Sequence, residues 1–469
     1  MRTLEKAVDQ RVASRRPAVT ASFACAAMLV SYLPFSAVNG VLGAIGTTMA
    51  ASTANLQWVA SAFTVALVGV ILSGGVLGDL YGRRRVTLIG LAFTVAGTAI
   101  GFLAGGLPRG SAISALVASQ AITGVGAGLV MSSTLALIAA TAPDARSRAR
   151  AIAAWAAANV LGLGTGPFLS GIITEYASWR WLYPPIAVLT IAVMALGVLR
   201  ALESSAPQGR SLDWPGQITG SAGVAALVYG VISGGSAGWT SPQALVGLVF
   251  GVGCLTAFAI VEHRSATPLL RPALFASRSF TIASLAAMVV LFTIVGIVFA
   301  LSLFFAHQHV SSLGIAVRLG CLFGGNALAS LTVARFQAVA GPRAVLTTGL
   351  LVAAAGVSSL LITTDSTGFG GFAAGLVITG AGCGLVIATS AVVAVQSAPQ
   401  ELAGMAGAAN NAVRQLGGAL GAAVIGVVVA ARLHAGADFA QAVHTSAAVL
   451  VVQLLLAATA TAFGLPARS

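Results

Sequence analysis

Apolar residues along this chain come in runs long enough to cross a membrane, separated by short polar stretches where glycine, proline and arginine recur. A bilayer-crossing helix needs about 20 mostly apolar residues, and in lipid the helix satisfies its own backbone. Fourteen runs reach that length: 20–47, 56–78, 86–106, 112–140, 149–174, 181–200, 216–234, 242–262, 279–305, 312–334, 343–363, 370–395, 403–431 and 443–464. The seventh is short and rich in glycine. The pattern predicts an all-α polytopic membrane protein.

Composition agrees. Of 469 residues, 58% are hydrophobic and 7% charged, whereas a soluble domain carries about a quarter charged residues. The net charge of +13 raises nucleic acid as a partner. The arginines, however, sit in short clusters between apolar runs with no basic face interleaved with aromatics, so no nucleic-acid partner is expected. Cys25, Cys254, Cys321 and Cys383 all fall within apolar runs, without disulfide or metal-ligand spacing. They read as small buried hydrophobes, and no metal or cofactor is expected. Lys6 is the single lysine, which excludes a phosphate-binding loop with its lysine and an intramembrane Schiff base. No loop is long enough for an ATPase domain, so ATP-driven pumping by this chain alone is excluded. The stretch SRRPAV (14–19) resembles a twin-arginine signal. No polar region follows it, so Arg15 and Arg16 are read as flanking the first span.

Charge placement orients the spans. With the N-terminus inside, Arg2, Lys6, Arg11, Arg15, Arg16, Arg83, Arg84, Arg85, Arg146, Arg148, Arg150, Arg200, Arg210, Arg264, Arg271, Arg278, Arg335, Arg343 and Arg468 are cytoplasmic. Arg109, Arg180, Arg318 and Arg432 are external, and Arg414 lies inside a span. This is a strong positive-inside bias. It predicts a multi-pass plasma-membrane protein with both termini cytoplasmic. Alanine and glycine fill the spans, which suits close helix packing in lipid. The loops 201–215 and 263–278 bracket runs seven and eight and leave six runs on either side. The expected organisation is a cytoplasmic segment 1–19, a six-helix bundle 20–200, a linker with two extra helices 201–278, a second bundle 279–464 and a cytoplasmic tail 465–469.

Between runs two and three stands GVLGDLYGRRR (75–85). Gly75, Gly78 and Gly82 permit close backbone approach and a tight turn. Asp79 sits where a carboxylate can meet a helix N-terminus or an arginine, and Arg83, Arg84 and Arg85 offer partners. A topogenic arginine cluster would account for the arginines, but not for the glycine spacing or the carboxylate. GLGTGPFLSG (162–171) places Gly162, Gly166 and Ser170 every fourth residue as a stripe for tight packing, together with Pro167, which can bend the helix, and Gly171. A generic small-residue face explains the glycines but not the adjoining GP.

These stretches resemble motifs of the major facilitator superfamily. The first is similar to G-x-L-[GA]-D-R-x-G-R-[RK] between helices two and three, with Leu80 where arginine is usual. The second resembles the antiporter motif of helix five. WRWLYPP (179–185), LQWVASAF (56–63) and NNAVRQLGGALGAAVIG (410–426) resemble helices six, two and thirteen of the fourteen-helix drug:proton antiporter branch. The resemblance implies a major facilitator fold of 6+2+6 helices and a midplane site between two repeats. It also implies a latch on the cytoplasmic side formed by Asp79 and its arginines. Drug or metabolite export by proton antiport, with protons as the coupling ion, follows from the same resemblance.

Two positions depart from that branch. LPFSAVN (33–39) has Pro34 where the first helix usually carries aspartate, and SQAITGVGAG (119–128) has Gln120 where helix four usually carries arginine. The losses make sense together, because an arginine in the bilayer without a carboxylate is costly. Asp79, Asp144, Glu175, Glu203, Glu262, Asp365, Glu401 and Asp438 all fall at run ends or in loops. His307, His309 and His444 read as hydrated interface residues, and His263 and His434 as loop residues. Arg414 lies about eleven residues into run thirteen, roughly 16 Å along the axis. It is either a site residue or a snorkelling or structural one. Asn39, Gln120, Asn326, Asn410, Asn411, Arg414 and Gln415 are the candidates for a central cavity. That cavity is neutral or mildly positive, and suits an anionic, zwitterionic or neutral amphipathic small molecule. Three readings follow: a proton-coupled exporter, an uncoupled facilitator or exchanger of the same fold, and a non-transporting sensor. Enzyme chemistry is not expected, because the spans hold no convergent acid, base or metal set.

Overall fold

The structure is a computed structural model, and it describes residues 2–207, 212–265, 268–364, 367–399 and 402–466. Arg210, Asp365, Glu401 and Arg468 of the charge pattern lie outside these. So does most of the tail expected at 465–469.

Among the described residues, fourteen helices are long and apolar enough to cross a membrane. They are α1 (Pro17–Gly40), α2 (Thr53–Tyr81), α3 (Arg83–Ala104), α4 (Arg109–Thr141), α5 (Arg150–Tyr176), α6 (Trp179–Arg200) and α7 (Trp214–Ala237). The rest are α8 (Pro242–Arg264), α9 (Arg278–His307), α10 (Ser312–Val333), α11 (Arg335–Ile362), α12 (Phe369–Gln396), α13 (Met405–His434) and α14 (Phe439–Gly464). No strand occurs among the described residues. Many starts are set by a local hydrogen bond: the side chains of Ser52, Asp144, Asp213, Ser241, Ser277, Ser311 and Asp438 each accept an N–H from the first turn they precede. These bonds satisfy donors that a helix start leaves orphaned.

Two expected boundaries shift. The run 20–47 does not form one helix, because the chain breaks at Val41 (φ −120°) and a short helix Leu42–Met49 follows. The gap expected between runs ten and eleven is itself helical. The backbone is helical from Ser312 to Ser358 except at Gly341, whose φ of 77° lies in the left-handed region ahead of Pro342, so residues 335–340 at the start of α11 continue the line of α10 up to that break. Proline cannot supply the N–H that would continue the ladder, so one apolar stretch becomes two crossings.

The packing gives a 6+2+6 arrangement. Helices α1–α6 pack on one another, as do α9–α14, while α7 and α8 pair and α7 leans on α2 and α13. Burial follows position: 78% of the most apolar window of α9 is buried against 17% for α8. α9 is therefore central and α8 peripheral. The two bundles meet along α2 with α13 and α5 with α10. We call the end carrying the α2–α3 turn the motif end. At the opposite end, Ser302 Oγ donates to Asn39 O at 3.0 Å. There too Gln57 Nε2 donates to Ala423 O at 2.8 Å. These bonds tie the bundles together away from the motif.

Candidate functional site: a cavity between the two bundles

α1, α2, α5, α9, α10, α12 and α13 surround a narrow cavity of about 40 Å³. Its walls are mostly apolar: Phe35, Leu163, Leu291, Ile294, Val295, Phe323 and Ile387. Against them stand Tyr32, Thr64, Asn159, Asn326, Arg414 and Gln415. A smaller cavity of about 20 Å³ shares Phe35, Leu163, Leu291, Ile294, Val295 and Phe323, and adds Ser36, Asn39, Pro167 and Val298. An apolar space with few polar groups is the usual form of a small-molecule site.

Of the residues selected from sequence, Asn326, Arg414 and Gln415 line the larger cavity and Asn39 the smaller one. Gln120, Asn410 and Asn411 do not line either. Gln120 is fully buried with neither amide atom hydrogen-bonded. Asn411 stands behind the lining, where its Oδ1 accepts from Arg414 Nη2 at 2.5 Å and its Nδ2 donates to Met131 Sδ at 3.3 Å. Tyr32 and Asn159 join the wall without any sequence signal, because a lone Tyr or Asn in an apolar run has no periodicity to mark it. The Tyr32 hydroxyl accepts a hydrogen bond from Gln415 Nε2 and donates one to Met131 Sδ at 3.3 Å. That joins α1 and α4 of one bundle to α13 of the other.

The charge here is unbalanced. Arg414 has no carboxylate in the cavity wall, and its Nε makes no hydrogen bond. Asn159 lies against Tyr32, yet its Nδ2 also finds no partner in hydrogen-bond geometry. The carboxylates of the described residues sit elsewhere. Asp213, missed in the sequence, and Glu262 are both buried at the motif end of α7 and α8, each with one oxygen unpartnered. His307 stacks on Phe439, and His444 Nε2 meets Thr363 O at 2.6 Å. Arg318 lies over the Phe305 ring, 4.9 Å from its centroid.

The α2–α3 turn is built around one glycine. Gly82 has φ 103°, which L side chains rarely adopt. Gly75 has open space where a Cβ would stand, and Gly78 only ordinary contacts, so neither is required by crowding. Asp79 Oδ1 accepts from Arg83 Nη2 at 2.8 Å and Nε at 3.1 Å. Arg83 N donates to Ser204 O at 2.9 Å, and Ala206 N to Asp79 O at 2.9 Å. Glu203 accepts the N–H groups of Arg84 at 2.9 Å and Arg85 at 3.1 Å, and Arg84 Nη1 donates to Ala201 O at 3.0 Å. The motif therefore grips the segment that leaves α6.

The α5 stripe divides its work. Gly162 and Gly166 face α1, against Leu29 and against Ser36 and Ala37, and Ser36 Oγ donates to Gly162 O at 2.8 Å. Gly171 faces α10 of the other bundle, 2.7 Å from Ala316 Cβ by a would-be Cβ. Pro167 lies inside the helix, beside the smaller cavity. The first two glycines of the stripe thus serve packing within one bundle, and Gly171 the contact between bundles.

Two helical bundles around a polar–apolar cavity, with a spare helix pair at the side, define a membrane transporter of the major facilitator type. The family model described as Major Facilitator Superfamily matches residues 24–422, and the chain belongs to that superfamily, whose members are transporters of small molecules rather than enzymes. It is 31% identical over 411 residues to "Multidrug resistance protein Stp" of Mycobacterium tuberculosis (strain CDC 1551 / Oshkosh), covering 87% of this chain and 75% of the relative. It is 27% identical over 397 residues to "Tetracenomycin C resistance and export protein" of Streptomyces glaucescens, covering 83% and 72%. Among solved structures it is similar in fold to a mutant of the nucleoside transporter NupG, with TM-score 0.64, 15% identity and coverage of 93% and 99%.

Proposed function

We propose that this chain exports amphipathic small molecules across the plasma membrane by alternating access. The observation that carries this reading is the cavity shared by both bundles, bonded shut at the end away from the motif. Relatives named for drug resistance and for export support the direction. Residues 20–200 and 279–464 act as the two rocking bodies, and 201–278 as the linker with its helix pair. The motif end faces the cytoplasm with both termini, in keeping with the arginine bias. The motif residues Gly75, Gly78, Asp79, Gly82, Arg83 and Arg84 gate that side, and the α5 stripe sets how closely α5 approaches α1 and α10.

Proton antiport is the proposed drive, and the bilayer is the working environment. One observation favours the uncoupled reading instead: Pro34 and Gln120 replace the usual titratable pair, and no carboxylate lines the cavity.

Uptake of a fluorescent lipophilic dye panel into everted vesicles, with an imposed proton gradient and then a protonophore, separates the two. Accumulation that collapses with the gradient supports antiport. Flux indifferent to the gradient but faster with substrate on the far side supports an exchanger. No dye movement under either condition sinks the transporter reading.

A further inference from the structure

Two buried side-chain atoms of residues in the wall of the larger cavity, Arg414 Nε and Asn159 Nδ2, make no hydrogen bond, and both are donors. A buried donor without an acceptor costs free energy, more so when charged. An arginine within a membrane span is tolerated where a counter-charge or a polar cavity receives it. No described residue of the cavity wall is acidic: Tyr32, Thr64, Asn159, Asn326 and Gln415 are the polar residues that line it with Arg414. Asn411 holds one guanidinium nitrogen from behind, through Nη2 at 2.5 Å, and fixes the fork while leaving Nε unpaired. Phe35 and Phe323 flank the same space with apolar surface. The missing element is one negative charge on an otherwise apolar body.

Resting on the transporter reading above, we propose that the cavity takes hydrophobic organic monoanions, with a carboxylate or similarly planar oxyanion held by Arg414 and Asn159. Arginine presents N–H donors in a planar fork that matches such a group. The rest of the molecule lies along Phe35, Leu163 and Phe323 towards Asn39. There Asn39 Oδ1 is an unpartnered acceptor and suits a neutral hydroxyl or amide N–H. A cationic ligand finds no carboxylate in this wall, and would meet the guanidinium as a like charge.

The test uses a pair that differs in one charge: a dialkylaminocoumarin dye carrying one carboxylate and no other group ionised at neutral pH, and its uncharged methyl ester. Ethidium serves as the cation. Binding to the purified full-length protein in detergent is read by fluorescence polarisation, and flux is read separately in vesicles. The proposal expects the carboxylate dye to bind about tenfold or more tightly than its ester, the scale of one hydrogen bond to a charged group. Arg414→Gln should erase that preference and Arg414→Lys retain part of it. Asn159→Leu, which leaves the guanidinium in place, should weaken the carboxylate dye and not the ester. Equal binding of the pair to the native protein, or an unchanged preference in a folded Arg414→Gln, would overturn it. Binding of none of the three dyes would do the same.

A small inorganic anion shares this chemistry, so chloride is titrated alone. If chloride shifts the melting temperature through Arg414 and the carboxylate dye shows no advantage over its ester, the site belongs to the inorganic ion and the proposal fails. If the carboxylate preference persists at high chloride, it stands. Anion-selective binding without flux would leave this inference in place and count against transport.

Discussion

Glu203 caps α3 from the segment that leaves α6. Its two carboxylate oxygens accept the backbone N–H groups of Arg84 and Arg85, at 2.9 and 3.1 Å. These are orphan donors of a helix that starts from a glycine with no side chain to cap it. The turn motif and residues 201–206 are thereby tied together.

The cap gives a direct stability test. Glu203→Ala should lower unfolding free energy by about 1 kcal/mol, the usual cost of a lost helix cap, with Glu203→Gln losing less. Gly82→Ala should cost more. It forces a left-handed conformation worth about 1–2 kcal/mol on a side-chain-bearing residue, and its Cβ would stand 2.9 Å from the Glu203 carboxylate carbon. Thermal unfolding in detergent reads both. A Gly82→Ala protein melting with the native one would show that the turn is not held as described.

Not every motif glycine should matter equally. Gly75 has open space beside it, so Gly75→Ala should be neutral, or stabilise by up to about 1 kcal/mol through helix propensity. Gly166→Ala drives a methyl into Ser36 and to 2.6 Å from the Ala37 backbone nitrogen. It should destabilise by about 1–3 kcal/mol through overpacking. Adding Ser36→Gly should recover part of the loss, although it also removes the bond to Gly162. Equal melting temperatures for Gly75→Ala and Gly166→Ala would contradict this ordering.

Tyr32→Phe keeps the ring but takes the hydroxyl partner from Gln415, which is 2% exposed. Its Nε2 would keep only the longer bond to Met131 Sδ at 3.9 Å, at a cost of about 1 kcal/mol for one lost buried hydrogen bond. Because that bond joins the bundles, crosslinking or distance measurements between α1 and α13 should also show a broader distribution. A distribution unchanged from the native protein would mean the bond plays no part in bundle closure.

Glu262 and Asp213 make a different prediction. Glu262 Oε2 accepts from Leu270 N at 2.9 Å, and Asp213 Oδ1 from Gly216 N at 2.9 Å. The remaining oxygens point to one place: a Cβ on Gly216 would stand 2.6 Å from Glu262 Oε1 and 3.0 Å from Asp213 Oδ2. Glu262→Gln retains an acceptor for Leu270 and removes one of two facing carboxylates. It should raise stability by about 1–4 kcal/mol, the span from water-like to partly screened repulsion between like charges about 4 Å apart. A fall in melting temperature would show that the charge is needed there.

The fourteen crossings were legible in the sequence because lipid enforces a length and a composition on every span. The outcome at α7, a short glycine-rich run that is nonetheless a full helix of 24 residues, shows how firm that constraint is. Bounds at 40–42 and 335–342 were not legible. A single backbone break at Val41, or at Gly341 ahead of Pro342, divides or joins apolar stretches without changing their composition.

Arg414 stood out in the sequence because a charge inside an apolar run is rare and costly. The sequence by itself determined the class of fold, the motifs and the candidacy of that one charge, through rules that act locally along the chain. Only the tertiary structure decided which neutral polar residues join it. Tyr32 and Asn159 are brought to the cavity from α1 and α5, while Gln120, Asn410 and Asn411 are left off its wall. The reason is geometric: which face of a helix meets a cavity depends on its rotation and its partners, and polar side chains buried against another helix look the same in sequence as those facing a ligand. The grip of the turn on Glu203 belongs to the same class, since 119 residues separate Arg84 from its acceptor and nothing between them encodes the meeting.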